Sequence, residues 1–184
     1  MQTSFEHPTW HVIWATFSSW APTGSRGDWQ DLSELYSRLR QSCPEIEMSS
    51  PLPTKWHAKP APSGQVVVAP AACAQVEMDI ANLASANGDR IAELLSLRAT
   101  VSATNHVQLV GSCPEASLHQ VVGRLKSRTA TLLSFHREVA VGGAGTWARG
   151  FWWAKLPTEE AVRSTIAYMA AVRENRSGGS RTGG

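Results

Sequence analysis

His106 and Gln108 lie two residues apart in the segment NHVQLVGS, which alternates in polarity and reads as a β-strand. Side chains two positions apart on a strand project from the same face, so this imidazole and this carboxamide would lie together. Neutral nitrogen and oxygen donors suit Mg²⁺ or Mn²⁺ bound jointly with substrate phosphate oxygens. The pair therefore indicates an incomplete cation site, although a lone His-x-Gln pair is more often a structural or surface feature.

Tyr168 lies in a segment with helical spacing and several basic side chains, among them Arg163, Arg173 and Arg176. A phenol oxygen can attack a phosphodiester and form a covalent intermediate, and nearby cations favour the ionised phenol. The alternative is that the tyrosine ring packs against a sheet, which is the commoner role of such a residue. These residues alone leave both interpretations open.

Two further stretches, GRLKSRTATLL and TWARGFWW, combine cations with aromatic rings. Cations for phosphates beside rings for base stacking are typical of proteins that bind single-stranded nucleic acid. The side chains predicted to make these contacts are Arg124, Lys126, Arg128, Trp147 and Arg149. A solvated helix face beside a tryptophan-rich core explains the same residues equally well.

Strands and helices alternate among the elements that would position these side chains. Apolar spacing and turn residues predict strands at 10–17, 65–70, 94–102, 105–112 and 146–156. Helices are predicted from 31, from 70 to about 87, from about 115 to 137, and from 157 to about 175. The proline-rich stretch 43–65 opposes regular structure and is predicted to be an irregular insertion. This order predicts the α+β class, with an antiparallel sheet covered by helices.

Length and composition favour one globular domain. Of the 184 residues, 42% are hydrophobic and 17% are charged, which is enough apolar material for a core. We expect a domain at 1–175 and a flexible tail at 176–184. No apolar run is long enough to span a bilayer and the first residues lack a signal-like pattern, so a cytoplasmic location without membrane contact is predicted. The three cysteines have no C-x-x-C spacing, which disfavours a thiolate zinc site.

Charge is unevenly distributed along the chain. Residues 1–114 carry 7 basic and 10 acidic side chains, whereas residues 115–184 carry 10 and 5. The C-terminal part is therefore where a polyanion would bind. Ordinary protein surfaces also show charge differences of this size, so the asymmetry supports nucleic-acid binding only in combination with a sequence motif.

Five segments, in order along residues 10–175, resemble the HUH transposases with one catalytic tyrosine, especially the REP-associated tyrosine transposase branch. HVIWATFSSWAPTGSRGDW is similar to the opening strand and loop, and SATNHVQLVGS to the metal-binding strand. SLHQVVGRLKSRTATLL is similar to the helix that follows, TWARGFWWAKL to the Trp-x-Arg-Gly-aromatic strand, and AVRSTIAYMAAVREN to the helix of the nucleophile. The resemblance implies the ferredoxin- or RRM-like fold of HUH endonucleases.

In function, the resemblance implies cutting and rejoining of hairpin-forming single-stranded DNA. Tyr168 would attack a phosphodiester to give a 5′-phosphotyrosine and a free 3′-hydroxyl, with Mg²⁺ or Mn²⁺ held by His106 and Gln108. A third ligand would come from the helix of the nucleophile, about one turn beyond Tyr168, where Glu174 and Asn175 are the nearest substitutes for the usual polar ligand. We also expect a nucleoid-associated location, and the sequence leaves a monomer and a homodimer both open.

Two departures from the family pattern support a rival hypothesis. The second histidine of the usual His-hydrophobic-His triplet is Gln108 here, and Val172 stands where a polar ligand is common. The rival is a domesticated, non-cutting protein that binds hairpin DNA or assists assembly of other machinery. A sheet-based RNA-binding module of similar topology is a third hypothesis, because this kind of fold is widely reused.

Overall fold

The computed structural model describes residues 7–16, 26–50, 68–135 and 146–178, which contain four strands and five helices. In chain order these are β1 (Thr9–Ala15), α1 (Arg26–Ser42), α2 (Pro70–Ser85), α3 (Arg90–Leu94), β2 (Ser96–Ser102), β3 (His106–Ser112), α4 (Leu118–Phe135), β4 (Trp152–Leu156) and α5 (Glu159–Gly178). A short 3-10 turn, Glu115–Ser117, precedes α4. None of these helices, as far as they are described, combines the length and apolar character needed to cross a membrane.

The four strands form one antiparallel sheet in the order β2-β3-β1-β4. β1 and β3 are the central pair, in which His11 lies opposite Val110 and Ile13 lies opposite Gln108. β2 and β3 follow each other as a hairpin, whereas helices connect β1 to β2 and β3 to β4. This is the split β-α-β order of ferredoxin-like domains. The predicted α+β class, with an antiparallel sheet covered by helices, is confirmed.

Helices cover both faces of the sheet. On one face, α2 and α4 pack against Val12 and Leu109; we call it the α2–α4 face. On the other, α1 and α5 pack against Ile13 and Val110; we call it the α1–α5 face. Because the central strands are buried on both sides, any polar side chain on β1 or β3 must find its hydrogen-bond partner inside the protein.

The structure confirms the predicted hairpin, the helix that begins at Pro70 and the long helix α4. The predicted strand at 65–70 is wrong where it can be examined, because Val68 and Ala69 belong to no helix or strand and Pro70 already begins α2. Proline suits the first turn of a helix, where its missing N–H is not needed. Val68 instead donates its N–H to the carbonyl of Thr104 at 2.7 Å. Residues 65–67 lie outside the described ranges.

The helices α1, α3 and α5 also differ from the sequence prediction. α1 begins at Arg26 rather than at residue 31. The short helix α3 was not predicted; the carboxylate of Asp89 caps its first turn by accepting the N–H of Ile91 at 2.7 Å. α5 extends to Gly178, so residues 176–178, predicted to begin a flexible tail, are helical. The rest of that tail lies outside the described ranges.

The outer edge of β4 is covered by backbone from the start of the predicted insertion. Ser49 donates its N–H to the carbonyl of Trp153 at 2.9 Å, and Lys155 donates to Glu47 at 2.8 Å. Met48 forms an isolated antiparallel bridge with Ala154 between these two bonds. Residues 47–50 thus pair with the sheet rather than forming a detached loop. Residues 51–65 of the insertion lie outside the described ranges.

Candidate functional site

His106 and Gln108 point from β3 into the α1–α5 face, while Val107 and Leu109 point into the opposite core, as strand alternation predicts. The two polar side chains contact each other, with Nε2 of Gln108 at 3.0 Å from Nε2 of His106. Both are buried, with 3% of His106 and 1% of Gln108 exposed. The structure therefore brings this predicted pair together, but in the protein interior.

His11 of β1 joins this pair from the neighbouring strand. It is fully buried, and its Nε2 lies 3.0 Å from Oε1 of Gln108. Its Nδ1 lies 2.7 Å from the hydroxyl of Tyr36 on α1, and at the other end Nδ1 of His106 lies 2.7 Å from Oδ1 of Asn105. We call this series of side chains, Tyr36, His11, Gln108, His106 and Asn105, the buried polar chain.

The positions of the carboxamide oxygen and nitrogen of Gln108 fix the hydrogen atoms of the buried polar chain. A carboxamide oxygen only accepts, so His11 donates from Nε2 to Gln108 and its Nδ1 accepts the hydroxyl hydrogen of Tyr36. The carboxamide nitrogen of Gln108 donates to Nε2 of His106, whose Nδ1 then donates to Asn105. The two imidazoles are therefore opposite tautomers.

Burial keeps the ionisable members of the chain neutral. Desolvation lowers the pKa of His11 to about 3, the hydrogen bond to Gln108 opposes this shift, and His106 adds to it. Desolvation also lowers the pKa of His106 to about 4. Burial raises the pKa of Tyr36, against a hydrogen bond with Thr165 that acts in the other direction. At pH 7 both histidines are thus uncharged imidazoles and the tyrosine is an intact phenol.

The ring of Trp152, on β4, covers another side of the buried polar chain. This ring meets that of His11 edge-on at a centroid distance of 5.8 Å and that of Tyr36 at 5.2 Å. Its indole Nε1 donates to the carbonyl of Ser50 at 3.0 Å, which fixes the ring. The aromatic contacts leave the central hydrogen bonds without access to water.

In this arrangement the residues do not fit a Mg²⁺ or Mn²⁺ site. The neutral ring of His106 has one nitrogen lone pair, and the amide hydrogen of Gln108 uses it. These cations favour oxygen ligands, commonly carboxylates. Within the described ranges, no group of three or more His, Cys, Asp or Glu side chains could hold a metal ion. A cation would have to break the hydrogen bonds on both sides of Gln108 and lose its hydration in a dry interior.

Tyr168 lies in a groove between α1 and α5 and is partly buried. It packs against the α1–α5 core, and its negative charge would raise the pKa of the nearby Tyr36. The groove has a volume of about 590 Å³, and its charged lining consists of Asp31, Glu34, Arg38 and Glu160. Three carboxylates against one guanidinium make this surface acidic, which opposes the approach of a phosphodiester.

Glu174, expected from the family resemblance as a third ligand, does not join the buried polar chain. It is exposed, whereas Val172 faces the sheet and is buried. Two residues correspond to a rotation of about 200° around a helix, so Glu174 points to the opposite side of α5. Asn175, the other candidate, has a side chain outside the described set.

Two side chains predicted to contact nucleic acid are used within the protein. The ammonium group of Lys126 donates to the carbonyl oxygens of Ala148 and Gly150, each at 2.7 Å, and so fastens the loop before β4 to α4. Trp147 is 9% exposed, and its Nε1 donates to the hydroxyl of Thr129 at 3.1 Å. The tryptophan-rich core, the alternative from the sequence, therefore describes Trp147 better than base stacking does.

Arg124, Arg128 and Arg149 are exposed. The first two lie one turn apart on α4 and so project from the same side of the helix. Arg128 makes a long ion pair with Asp89 at 3.9 Å, and its side chain remains 65% exposed. Arg149 belongs to the loop that Lys126 holds against α4. These three guanidinium groups are the part of the predicted nucleic-acid surface that the structure leaves open to solvent.

Sequence reasoning missed His11 and Tyr36 as members of the site. His11 shares no motif spacing with another histidine, and Tyr36 reads as an ordinary member of an apolar helix stripe. One signal was present: in the segment TWHVIWA, Trp10, Val12 and Trp14 lie on one side of the strand and Ile13 and Ala15 on the other, so both sides carry apolar residues. Such a strand is buried on both faces, so its imidazole needs a partner from a neighbouring element.

Comparison with known proteins adds no family assignment. No family model matches the chain, and no curated protein matches it.

Proposed function

We propose that this protein binds hairpin-forming single-stranded DNA without cutting it, as a non-cutting relative of the single-tyrosine HUH transposases. The buried polar chain carries this proposal, because the two side chains that would hold a cation are bonded to each other and to His11. Metal-assisted cutting requires a cation that can reach the scissile phosphate. Because the candidate ligand atoms are engaged in internal hydrogen bonds, DNA binding without cutting is the favoured function. Association with the nucleoid is part of the same proposal.

The DNA surface in this proposal is the α4 side of the protein, where Arg124, Arg128 and Arg149 are exposed. Guanidinium groups bind phosphates well because they carry a permanent charge and several donors. The surface lies across the sheet from the acidic groove of Tyr168. Phosphate contacts fix position but do not read sequence, so selection would depend on hairpin shape and a few exposed bases.

Replacing Arg124, Arg128 and Arg149 together by alanine should weaken binding of a hairpin-tailed single-stranded oligonucleotide by roughly 100-fold at 0.1 M salt. Each phosphate contact to a single strand contributes a slope of about −0.7 to the dependence of log affinity on log salt, so three lost contacts should reduce the slope by about 2. Fluorescence anisotropy over a range of salt concentrations measures both quantities.

A matched control removes the same charge from the other side of the protein. Arg38, Arg40 and Arg163 are exposed on α1 and α5, and their triple alanine variant should bind nearly as wild type does. Equal losses in the two triple variants would show that only net charge matters, which would remove α4 as the binding surface. An RNA hairpin of the same sequence serves as competitor, and preference for it would support an RNA-binding module instead.

Cutting through Tyr168 is the second candidate function, and one observation favours it. Tyr168 is on the same face of the sheet as His106 and Gln108, and it lies close to Tyr36, the first member of the buried polar chain. A groove between α1 and α5 reaches its side chain from the surface. A rearrangement that opened the chain would therefore place the phenol and the predicted ligands in one region.

Incubation with a labelled hairpin-tailed oligonucleotide and Mn²⁺ should give a complex on a native gel but no covalent adduct on a denaturing gel. The reason is that the ligand atoms remain engaged, so Tyr168 has no activated phosphate to attack. Tyr168→Phe should behave as wild type in both gels. An adduct that forms with the wild-type protein and disappears in Tyr168→Phe would overturn the non-cutting proposal and establish the second candidate.

A further inference from the structure

Two backbone groups of β2 point to the side of the strand opposite its neighbour β3. The carbonyl of Thr100 and the N–H of Ser102 both contact side chains on the outer side of the strand, whereas β3 lies on the inner side. β2 is an edge of the sheet in the order β2-β3-β1-β4. Outward backbone groups on an edge strand are a template for pairing with another strand.

A pair of charged side chains, Glu77 of α2 and Arg173 of α5, occupies these backbone groups. Oε1 of Glu77 accepts the N–H of Ser102 at 2.9 Å, and Nη2 of Arg173 donates to the carbonyl of Thr100 at 2.7 Å. The two side chains also form an ion pair at 2.9 Å. The Glu77 side chain is 13% exposed and that of Arg173 51%, so the pair lies at the rim of the fold.

The two edges of the sheet are closed by different means. At β4, residues 47–50 add their own backbone to the strand, and Pro51 and Pro53 follow them in the sequence. At β2, the described residues show side chains in this role. A backbone segment blocks strand addition directly, whereas an ion pair can be removed without changing the sheet.

We propose that the Glu77–Arg173 pair keeps the β2 edge closed to strand pairing, and that the partner it excludes is β2 of a second copy of this chain. Because residues 47–50 already cover β4, β2 is, among the described residues, the sheet edge that is left for pairing between two copies. Antiparallel pairing of β2 with itself would be two-fold symmetric, which is the commonest geometry of homodimers. Arg173, which the sequence placed among the cations near Tyr168, thus has a structural role at the sheet edge.

The test is the double variant Glu77→Ala/Arg173→Ala, compared with wild type by size-exclusion chromatography with light scattering at about 100 µM. The variant should form a species of twice the wild-type mass, with unchanged near-ultraviolet circular dichroism. Hydrogen exchange locates the contact. The Ser102 amide should remain protected in the dimer, because the second strand replaces Glu77 as the acceptor, and should exchange rapidly when the variant is diluted to monomer.

Arg98→Ala is the matched control. Arg98 lies in β2 and also forms an ion pair with α5, through Glu159 at 2.9 Å, whereas Glu77 and Arg173 contact the Ser102 and Thr100 backbone groups. It should keep the wild-type mass. If the double variant fails to fold, the single variant Glu77→Ala takes its place in the test, because it removes the carboxylate that accepts the Ser102 N–H. A folded variant that keeps the wild-type mass overturns the proposal, as does a dimer in which the Ser102 amide exchanges rapidly.

Discussion

Lowering the pH from 7 to 5 should reduce the free energy of unfolding by about 4 kcal/mol. The pKa values of His11 and His106 are about 3 and about 4 in the folded protein, against 6.5 for an ordinary histidine. Between these values the unfolded chain binds protons that the folded chain does not, so stability rises with pH. The contribution is complete above about pH 6.5 and is lost as the pH falls towards 4. Urea unfolding at pH 7, 6 and 5 measures it.

Two variants separate this effect from general acid sensitivity. His106→Asn removes one buried imidazole and should lose about half of the pH dependence, even if its stability at pH 7 is lower. His7→Asn removes an exposed imidazole and should keep the wild-type dependence. Equal unfolding free energies at pH 7 and pH 5 in the wild-type protein would mean that the two histidines are not buried as neutral rings, and the buried polar chain would then be wrong.

Replacing Gln108 by leucine should lower the free energy of unfolding at pH 7 by about 2 to 6 kcal/mol. Leucine fills most of the volume, but the Nε2–H of His11 and the Nε2 lone pair of His106 lose their partner. Each buried polar group left without a hydrogen bond costs about 1 to 3 kcal/mol. The measurement is the urea midpoint and slope by circular dichroism, followed by native-gel DNA binding of the folded variant.

Gln120→Leu provides the matched control, since Gln120 is exposed on α4. It should change the free energy of unfolding by less than about 0.5 kcal/mol, the range typical of surface substitutions. A Gln108→Leu variant as stable as wild type would indicate that water reaches the two imidazoles, and that they are open to a cation as well. The cutting candidate would then regain its main requirement.

The sequence was sufficient for those parts of the fold that depend on local patterns. Alternation in NHVQLVGS placed His106 and Gln108 on one face of a strand, and Pro70 marked the start of α2. The strand predicted at 65–70 was wrong, because a short apolar run before a proline has no periodicity that separates a strand from an extended connection. Local patterns also did not indicate α3, whose five residues are too few to show helical spacing.

Contacts between distant residues account for what the sequence could not predict about the site. Gln108 and His11 are 97 positions apart, and they meet because the register of β1 and β3 brings their side chains together. The roles of Lys126 and Trp147 likewise depend on a loop and a helix that lie about 20 residues apart in the chain. Residue type alone predicted cations and rings for DNA, whereas tertiary packing assigned these two to internal contacts.

The buried polar chain also selects one alignment of β1 against β3. A slip of β3 by one residue would turn His106 and Gln108 into the α2–α4 face, whose buried neighbours are apolar, and would leave the Nε2–H of His11 without its acceptor on Gln108. Apolar side chains of similar size tolerate such errors, whereas a directional series of hydrogen bonds does not. The hydrogen bonds among these five side chains can therefore all form only when β1 and β3 pair in the native register and α1 lies in its native position.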